Sequence, residues 1–370
     1  MKERQTGGKR DRHRCEEEIH VLMCCSDIRS FRGGMVTVVK NYLEYDGWKR
    51  TEIRFIPTHK SGGNMTKILC FAVALFKIIA LLSQKKVDVV HLHMSERGSF
   101  YRKAILTRLC CFLHTAVILH HHGAEFEDFY EKLGKGGKRY VRRILEMADC
   151  NLVLSQSQVR ELKKKAPSAR VRVLHNAIHT EAKRCYNTKA SGIIMLGYQG
   201  RRKGTYDLVE AVAQIRDRIP EDCRLWLCGD GEVDAVKERI RSLGMEKMVA
   251  HIGWIEGEQK EACLREAAVH VLPSYREVLP MSILETMGRG IPNISTKIAA
   301  IPEVITDGKD GVLIEPGEIE RLGEKLLWLL QDEKLRETMS RNAYRRVQEE
   351  FSLESCAKRL EKLYEELAEA

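Results

Sequence analysis

The amino-acid sequence predicts an α/β fold of two doubly wound parallel-sheet domains that face each other across a cleft. Short aliphatic runs alternate with amphipathic or apolar segments of helical length along most of the chain, a pattern typical of parallel sheets with crossover helices. The alternation is interrupted once, over residues 177–191, by a polar segment without sustained periodicity. At 370 residues, the chain is long enough for two domains that each have a core.

These patterns divide the chain into four regions. The opening segment MKERQTGGKRDRHR lacks the apolar core of a secretory signal, and it predicts a basic disordered tail over residues 1–15. Residues 16–180 are predicted to form the first Rossmann-like domain, and residues 181–350 the second. The charged C-terminal segment, residues 351–370, is predicted to form a helix that packs back on the first domain.

Six strands are predicted in the first domain. They are IHVLMCC (19–25), EIRFIP (52–57), VDVVHLHM (87–94), AVILHHH (116–122), CNLVLS (150–155) and VRVLHN (171–176). The most apolar of the intervening segments, residues 68–82, is fifteen residues long and contains Lys77. Because this run is shorter than a membrane span, it predicts a buried or surface-lying helix.

The second domain repeats the same alternation. Its predicted strands are GIIMLGY (192–198), RLWLCGDG (224–231), VAHIGWI (249–255), VHVLPSY (269–275), NISTK (293–297) and GVLIEP (311–316). Residues 281–289 predict a helix, because Gly290 and Pro292 follow in stop positions. Ligands of open α/β sheets bind at the carboxyl ends of the strands, so we expect a ligand site in the cleft between the domains.

Charge is distributed unevenly along the chain. Residues 1–180 hold 33 Lys and Arg against 18 Asp and Glu, whereas residues 181–370 hold 29 against 34. A basic half could meet an anionic membrane, a lipid phosphate or nucleic acid. We expect no nucleic-acid partner, because no recognisable nucleic-acid module or interleaved aromatic platform is present. The twelve cysteines include no CxxC pair, which favours reduced thiols.

Two glutamates eight positions apart, Glu277 and Glu285, follow a predicted strand of the second domain. Glu277 falls in the loop before a helix and Glu285 about a turn inside it, so both could face a pocket at the positive N-terminal end of that helix. Both could instead be ordinary surface charges. Glu285 shares its helix with apolar residues, where an acid without a partner is costly, and ribose hydroxyls are suitable partners.

Two glycine-containing turns are candidate anion sites. Gly33 and Gly34 open a helix whose free backbone N–H groups could bind phosphate, although such a pair can equally be structural. Lys203 lies between a glycine-rich turn and a helix, where an ammonium group can neutralise a diphosphate. The alternative is a solvated basic cluster with Arg201 and Arg202.

Histidines end two successive strands of the first domain. Alternation places His91 and His93 on one face and His120 and His122 on one face, so a metal site is conceivable. No acidic or cysteine ligand stands convincingly beside them, and a neutral histidine can donate to a sugar or phosphate oxygen without a metal. We therefore expect no metal site.

With these residues assembled, the chain resembles a family 4 glycosyltransferase of the GT-B architecture, in which two Rossmann-like domains face each other. The resemblance extends from residue 19 to about residue 367 and is most specific in the second domain. Five family motifs occur there in order: a lysine–glycine turn, GDG after a strand, GW at a strand end, two glutamates separated by seven residues, and IPE. They occupy residues 203–204, 229–231, 253–254, 277–285 and 301–303.

The resemblance implies a role for each matching residue. Glu285 would hold the ribose of a sugar nucleotide, Glu277 the hydroxyls of the donor sugar, and Lys203 the diphosphate. Gly34 would direct a backbone N–H toward the β-phosphate, and His122 would lie near the donor sugar and the acceptor. The other donor-binding positions that it implies are Gly33, Gly231, Trp254, Ile255, Val278, Leu279, Pro280 and Met281.

The acceptor side is implied by the segment HMSERGSFYRK, residues 93–103, which resembles transferases of bacterial surface-polysaccharide assembly. Acceptors in that group are often lipid-diphosphate sugars, which agrees with the basic first half. The implied acceptor-side residues are His93, Arg97, Tyr101, Arg102, Lys103 and Glu125.

The chain departs from the family pattern at several positions. Tyr198 stands where relatives usually have an arginine that assists the lysine, and Arg201 or Arg202 could supply that missing charge as further catalytic residues. Val278 replaces the usual glycine after the first glutamate. Two alanines, at residues 299 and 300, replace a glycine pair.

The resemblance implies a retaining transferase that moves a hexose-type sugar from a nucleotide diphosphate donor to a glycan acceptor. UDP-sugars are favoured as donors over GDP-sugars, no cofactor is required, and the acceptor is expected on a lipid in bacterial surface-polysaccharide or cell-envelope synthesis. We expect a cytoplasmic protein, peripheral on the inner face of the membrane. Two alternatives stay open: a nucleotide-sugar epimerase of the same fold, and a catalytically weak pseudo-transferase that binds and regulates a partner.

Overall fold

The computed structural model describes residues 18–370, so the predicted tail over residues 1–15 lies outside the described residues. Over this range the chain forms two six-stranded sheets in which every strand pair is parallel. The predicted α/β class with two doubly wound domains is confirmed.

The first sheet carries the candidate acceptor side. Its strands, in chain order, are β1 (Ile19–Ser26), β2 (Thr51–His59), β3 (Val89–Met94), β4 (Ala116–His121), β5 (Cys150–Val153) and β6 (Val171–Val173). They lie side by side in the order β2, β1, β3, β4, β5, β6. The chain therefore leaves β1 at the point where the strand order reverses, and ligands of doubly wound sheets bind beside such a point.

Helices cover both faces of this sheet. They are α1 (Gly34–Glu44), α2 (Asn64–Ser83), α3 (Gly98–Phe112), α4 (Phe126–Glu131), α5 (Lys135–Met147) and α6 (Gln156–Lys165). The helices α2, α3 and α5 share one apolar core with the sheet, to which they contribute Ile78, Phe100 and Ile144. The helix α1 contributes Val38 and Val39 to a second core on the opposite face.

The helix α2 is one of the two predicted kinds, a surface-lying helix, but it is longer than its apolar run. The fifteen-residue apolar run lies inside a 20-residue helix that is long and apolar enough to cross a membrane by length and composition. Only 17% of its most apolar window is buried. The helix is thus surface-lying, and most of its apolar side chains are not used by the core of the domain.

The second sheet carries the candidate donor side. Its strands are β7 (Gly192–Leu196), β8 (Leu225–Cys228), β9 (Val249–Gly253), β10 (Ala267–Leu272), β11 (Asn293–Thr296) and β12 (Gly311–Ile314). They lie in the order β12, β11, β10, β7, β8, β9. All six end earlier than predicted, and three of them are followed at once by Gly197, Gly229 or Pro273. Both glycines have positive φ angles, 135° and 155°, which a continuing strand would not allow.

The helices of the second domain follow the same alternation. They are α7 (Thr205–Ile215), α8 (Val233–Ser242), α9 (Gly257–Arg265), α10 (Met281–Gly288), α11 (Ile301–Val304), α12 (Ile319–Gln331), α13 (Glu333–Arg346) and α14 (Leu353–Ala368). A short 3-10 turn, Arg201–Lys203, precedes α7. The predicted helix of residues 281–289 is α10, and it ends at Gly288.

The last helix, α14, packs on the first domain. The hydroxyl of Tyr364 lies 2.6 Å from Nδ1 of His91 on β3. Glu361 is 8% exposed, and its carboxylate accepts hydrogen bonds from the backbone N–H groups of Lys49 and Arg50 at 2.9 and 2.8 Å. The C-terminal residues thereby complete a surface of the N-terminal sheet.

Side chains also join the two domains directly across the cleft. Glu303 on α11 accepts a hydrogen bond from the backbone N–H of Gln156, the first residue of α6, at 2.8 Å. Its carboxylate also lies 3.3 Å from Nε2 of His175. Asn176 donates to the carbonyl oxygen of Leu279 at 2.9 Å. These contacts bring the loop that carries Glu277 against the first domain.

Candidate functional site

The centre of the site is an ion pair between the loops that follow β7 and β10. These strands are neighbours at the point where the order of the second sheet reverses, so their loops meet. The ammonium of Lys203 forms a salt bridge with Oε1 of Glu277, and Ser274 donates to the same oxygen at 2.9 Å. The two charged side chains are 13% and 7% exposed, so water screens the pair poorly.

Backbone packing fixes the position of Lys203. Gly204 follows it with φ 74°, and a Cβ there would lie 2.1 Å from the carbonyl oxygen of Pro273. The backbone N–H of Tyr275 donates to the carbonyl of Arg202 at 3.0 Å. The lysine turn and the Glu277 loop are therefore held in contact by their main chains, and only glycine fits at residue 204.

Glu285 lies in a separate hollow and has a partner that the sequence did not reveal. Its carboxylate accepts from Nζ of Lys260 on α9 at 2.7 Å. Both line a cavity of about 190 Å³ between α9, α10 and α1, which also reaches Thr37 and Asn41. From the sequence, ribose hydroxyls were the only expected partners of Glu285. The polar, lysine-containing segment of α9 carried no motif that could have identified Lys260.

Two helix N-termini meet beside this hollow. Gly34 is the first residue of α1 and Met281 the first residue of α10. A Cβ on Gly34 would lie 3.5 Å from Cγ of Met281, so the two ends are in contact. Free N–H groups and the positive ends of both helix dipoles are thus concentrated in the cleft, which favours an anion.

The rim of the donor side is built by the end of β9. The guanidinium of Arg32, from the first domain, lies 4.5 Å from the ring centroid of Trp254, which is 41% exposed. The indole N–H of Trp254 donates to Glu256 at 3.1 Å. Ile255 is buried. Among the predicted donor residues, Trp254 thus presents a ring surface and Ile255 offers only its backbone.

The remaining predicted donor positions are structural neighbours of these groups. Gly231 packs so tightly on the loop after β7 that a Cβ would lie 2.2 Å from the carbonyl of Gln199. Val278, Leu279 and Met281 are buried, and Pro280 is the N-cap of α10. Gly33 precedes α1 with φ 128°, and a Cβ there would meet no atom within 4 Å.

The two arginines expected to assist Lys203 point elsewhere. Arg201 lies over the ring of Tyr206 at 5.3 Å, and Arg202 donates to the carbonyl of Arg276 at 3.2 Å. Both line a hollow on the far side of the turn with Tyr206 and Tyr275, and neither Lys203 nor Glu277 lines it. In this structure, Lys203 is therefore not accompanied by the guanidinium groups of its own turn. Tyr198 is 48% exposed.

The histidines at the ends of β3 and β4 form a stack. The centroids of neighbouring rings are 4.2–5.3 Å apart, and their planes differ by 16–37°. Nδ1 of His93 lies 3.0 Å from Nε2 of His122, and Nε2 of His91 lies 3.1 Å from Nδ1 of His120. Burial lowers the pKa of His91 and of His122 to about 3. The stack is therefore neutral near pH 7.

Three of these histidines bring ring nitrogens close together. Nitrogens of His91, His93 and His120 lie within 4.8 Å of one another. Within the described residues, this group consists of histidines alone, without an acidic or cysteine ligand. His122, which is half-buried, is the member of the stack nearest to solvent.

The acceptor-side residues are divided between the surface and the core. Arg97 pairs with Glu125 at 3.2 Å, and Arg97 and Tyr101 are exposed. Lys103 is 2% exposed, its ammonium contacts the hydroxyl of Thr58, and burial lowers its pKa to about 8. His93 is buried in the stack. Lys103 and His93 could therefore contact an acceptor only after the strand ends rearrange. Arg102 is half-buried.

A cavity of about 310 Å³ lies between the strand ends of the first domain and the Glu277 loop. The first domain lines it with apolar side chains and with the buried Lys165, whose ammonium pairs with Glu127 and Glu161 in the same lining. The second domain closes it with Glu277, Val278 and Ala299. The first-domain residues that matter here are Met94, His121, Phe126, Leu162 and Lys165. These residues were not predicted from the sequence, since α6 carries no recognisable motif.

Comparison with known families accounts for almost the whole described chain. The model "Glycosyltransferase Family 4" matches residues 18–182, and the model "Glycosyl transferases group 1" matches residues 181–346. The boundary between the two matches falls at the polar segment between the two sheets.

Similar sequences include characterised bacterial enzymes. One is the N-acetyl-alpha-D-glucosaminyl L-malate synthase of Bacillus anthracis, 25% identical over 310 residues that cover 78% of this chain and 77% of that protein. Another is the UDP-Gal:alpha-D-GlcNAc-diphosphoundecaprenol alpha-1,3-galactosyltransferase of Escherichia coli, 24% identical over 84% of this chain and 82% of that protein.

Solved structures show the same fold. The sucrose-phosphate synthase of Thermosynechococcus elongatus superposes with a TM-score of 0.77 at 17% identity, over 95% of this chain and 99% of that one. The HepE protein of Anabaena in complex with UDP superposes with a TM-score of 0.73 at 14% identity, over 94% of this chain and 100% of that one.

Proposed function

The chain belongs to the family 4 glycosyltransferases, and we propose that it moves a hexose-type sugar from a nucleotide diphosphate to a glycan on a lipid carrier. The anomeric configuration of the transferred sugar is retained. The product belongs to bacterial surface polysaccharide or another cell-envelope glycan. Of the comparisons above, the Escherichia coli relative, which is named for a diphosphoundecaprenol acceptor, supports the choice of a lipid carrier.

One observation carries this proposal: Glu277 belongs to both halves of the cleft. Its carboxylate pairs with Lys203 on the donor side, and the same residue closes the 310 Å³ cavity of the first domain. A sugar held by this carboxylate through its hydroxyls would therefore have its anomeric carbon beside that cavity. Transfer requires such a placement, since donor and acceptor must come within bonding distance.

The proposed reaction depends on stabilising the negative charge that develops on the leaving diphosphate. As the bond from C1 of the sugar to the diphosphate oxygen breaks, negative charge grows on the leaving group. Lys203 and the backbone N–H groups at the starts of α1 and α10 stabilise that charge. The acceptor hydroxyl then bonds to C1 from the same side, and its proton passes to an oxygen of the departing diphosphate.

In the donor-free protein, the charged side chains of the site pair with each other. Lys203 and Glu277 neutralise each other, and so do Lys260 and Glu285. A bound sugar nucleotide replaces the first pair with a lysine–diphosphate contact and a carboxylate–hydroxyl contact, and it places the ribose against Glu285. The charged groups are thus kept paired before binding, which lowers the cost of burying them.

UDP-sugars are the favoured donors, with GDP-sugars as the alternative. The solved complexes of HepE contain UDP and UDP-glucose, which supports this choice by analogy of fold. The mechanism as proposed needs no cofactor, because a lysine and backbone donors already face the leaving group. The protein acts in the cytoplasm, peripheral on the inner face of the membrane, where lipid-linked acceptors are accessible.

A catalytically weak transferase is the second candidate, and one observation favours it. Relatives usually place an arginine at residue 198, this chain has Tyr198, and the side chains of Arg201 and Arg202 face a different hollow. Such a protein would bind a sugar nucleotide without turnover and would act on a partner subunit.

A thermal-shift panel of nucleoside diphosphates and their sugars tests the donor site. The native protein should be stabilised by a uridine or guanosine diphosphate sugar, and the Lys203→Ala and Glu285→Ala variants should lose that stabilisation. The Lys247→Ala variant, an exposed change in the turn before β9, serves as the control and should bind as the native protein does. A stabilisation that survives both site changes would place the donor elsewhere.

Product analysis then separates the candidates. The purified protein, the selected donor and a lipid-diphosphate sugar should give an elongated glycolipid with the donor's anomeric configuration. A changed sugar formed from donor alone would indicate an epimerase. Binding without turnover on any of a panel of lipid-linked acceptors would favour the pseudo-transferase.

A further inference from the structure

We propose that α2 and α3 form a membrane-inserting surface that lies in the plane of an anionic bilayer. This surface, termed the α2–α3 apolar surface, consists of exposed side chains on the outer faces of the two helices. They are Met65, Ile68, Leu69, Val73, Phe76 and Ile79 on α2, and Tyr101, Ile105 and Phe112 on α3.

The helix α2 is apolar on both of its sides, although only one side has a protein partner. Ala74, Ile78 and Leu82, spaced by four residues, are buried in the core of the first domain. The opposite side repeats apolar residues at the same helical spacing, and Phe76 there is 75% exposed. A helix that is apolar all round is normally buried on all sides. The outer side therefore indicates an apolar environment that the protein itself does not supply.

The neighbouring helix extends the same surface. Both α2 and α3 pack on one face of the first sheet and share its core, so their outer sides face the same direction. Phe112 near the end of α3 is 78% exposed. Ile105 precedes it by two turns and Tyr101 by three, and each of these two side chains is 45% exposed. A contiguous apolar surface of this kind on a soluble domain marks an interaction site.

Charge identifies the partner. Residues 60–87, which contain α2, include five lysines and no acidic residue. Residues 97–115, which contain α3, include four Lys or Arg, of which Lys103 is buried, and no acidic residue. The adjacent α5 segment, residues 132–145, adds six Lys or Arg, again without an acidic residue. Much of the excess positive charge of the N-terminal half thus surrounds the apolar surface. Apolar side chains ringed by lysine and arginine suit the interface of an anionic bilayer.

The charge argues against a second copy of the chain as the partner. A symmetric dimer through this face would bring two sets of like charges together around one apolar contact, which is unfavourable. Of these lysines and arginines, Arg97 on the loop before α3 and Lys138 and Arg142 on α5 have acidic partners within the described residues. Lys67 and Lys77 on α2 form no ion pair with an acidic residue in the part of the chain that the structure describes.

The geometry favours a helix that lies on the bilayer over one that spans it. By length and composition, α2 could cross a membrane. However, it connects two strands of one sheet and buries Ala74, Ile78 and Leu82 against that sheet. Spanning would remove these side chains from the core and would place Lys77 in the hydrocarbon, which is costly. Shallow insertion of the outer side requires neither change.

The orientation would also serve the proposed reaction. The helix α2 starts after β2 ends, so its first turn, with Met65, lies at the same edge of the first sheet as the candidate acceptor cavity. A lipid-linked glycan could then reach the cleft from the bilayer without leaving it. This last point rests on the proposed function. The membrane surface itself does not, because it can be measured without donor or acceptor.

Vesicle flotation with the full-length protein tests the inference. The native chain should float with vesicles of phosphatidylcholine and phosphatidylglycerol, and much less with phosphatidylcholine alone. The Leu69→Ser/Phe76→Ser variant should bind the anionic vesicles at least about tenfold more weakly, since two inserting side chains are lost. Both side chains are 65–75% exposed, so folding should be unaffected, which far-UV circular dichroism checks.

A matched control and a depth probe distinguish insertion from simple charge attraction. Trp328→Ser removes a large side chain that is 41% exposed on the second domain, and this variant should float as the native protein does. A tryptophan placed by Phe76→Trp should be quenched by brominated acyl chains in anionic vesicles. The Lys67→Glu/Lys77→Glu variant should need a larger phosphatidylglycerol fraction for the same binding.

Three results would overturn the inference. One is unchanged flotation of the Leu69→Ser/Phe76→Ser variant, and another is the absence of quenching at residue 76 while the protein is bound. The third is a native dimer in sedimentation velocity that this double variant dissociates, with no vesicle binding, because the surface would then be a contact between copies. Loss of transferase activity with vesicle binding intact would contradict the proposed function alone.

Discussion

Among single residues of the cleft, Glu277 combines a negative charge with nearly complete burial. Its side chain is 7% exposed and accepts from both Lys203 and Ser274. A carboxylate buried to this extent is tolerated because a cation lies against it. The same lysine would have to release it when a diphosphate binds, so donor affinity and donor-free stability depend on one contact.

Removing the lysine should therefore affect catalysis and stability together. The Lys203→Ala variant should lose about 10²–10³-fold in kcat, because the leaving diphosphate loses its main cationic contact. It should also be less stable without donor by about 1–3 kcal/mol, because Glu277 keeps a buried charge without its partner. Steady-state kinetics and urea unfolding measure the two effects.

A double variant separates these effects. Lys203→Ala/Glu277→Gln should regain much of the stability, since the unpaired charge is removed, but it should regain no activity. Full stability in the single Lys203→Ala variant would show that the ion pair contributes little to the donor-free fold. Unchanged kcat in that variant would exclude Lys203 from the reaction.

At the scale of elements, the site depends on turns between strands and helices. The lysine turn contacts the loop after β10 through main-chain atoms, at Gly204 with the carbonyl of Pro273 and at Arg202 with Tyr275. Such contacts have no room for a side chain. The order of strands at the switch point, not the side chains of the turn, brings Lys203 and Glu277 together.

Gly204 and Gly308 have the same φ of 74°, so comparing alanine variants at the two positions measures the energetic effect of the close approach at Gly204. A Cβ at Gly204 would lie 2.1 Å from a carbonyl oxygen, whereas a Cβ at Gly308 would meet no atom within 4 Å. Gly308→Ala should lower the free energy of unfolding by about 1–2 kcal/mol, because alanine must adopt the left-handed conformation there. Gly204→Ala should cost more than about 3 kcal/mol and should abolish donor binding, since the two loops must separate.

Denaturant unfolding and donor thermal shifts measure this pair of variants. Equal losses of stability at the two positions would mean that the strand-end loops adapt easily. The lysine turn would then not be fixed by its contact with Pro273.

On the scale of the whole molecule, the domains are joined by polar contacts across the cleft and by the return of α14 to the first sheet. The buried histidine stack lies under that helix, where Tyr364 contacts His91. Burial lowers the pKa of His121 and of His270 to about 4, and it lowers the pKa of His93 and His120 well below the ordinary value. The native fold therefore holds a set of neutral imidazoles.

This set should make the protein sensitive to mild acid. Unfolded histidines titrate near pH 6.5, so below that pH the unfolded chain binds protons that the native chain does not. Stability then falls as the pH falls, by up to about 1.4 kcal/mol per pH unit for each such histidine. We expect the urea midpoint to decrease between about pH 7.5 and pH 5.

The variant His121→Gln provides the matched comparison for acid sensitivity. Glutamine retains a donor for Oδ1 of Asn151, which lies 3.1 Å from Nε2 of His121, but it does not titrate. Its midpoint should decrease less steeply with falling pH than that of the native protein. A midpoint independent of pH over this range would mean that the stack admits protons in the native state.

Local sequence patterns were sufficient to predict much of the fold and part of the candidate site. Particular residues show which features they could not predict. The glycine turn at Gly33 and Gly34 and the existence and order of the strands were predicted from the sequence, because turns and alternation are short-range features. The carboxyl ends of the second-sheet strands were placed too late. The pairing of Lys260 with Glu285 was not predicted, because the two residues are 25 positions apart and lie on different helices. Arg201 or Arg202 was expected to supply the positive charge missing at Tyr198, yet the side chains of both line another hollow.

The sequence by itself determined the two parallel sheets, the position of each strand, the lysine–glycine turn and the paired glutamates, because these follow from periodicity, propensity and spacing. Only the tertiary structure decided which charges pair, which histidines are buried, and that one side of α2 has no protein partner. Side-chain pairing and exposure depend on which elements become neighbours in space. That choice is made by the packing of the whole chain, since no local segment contains it.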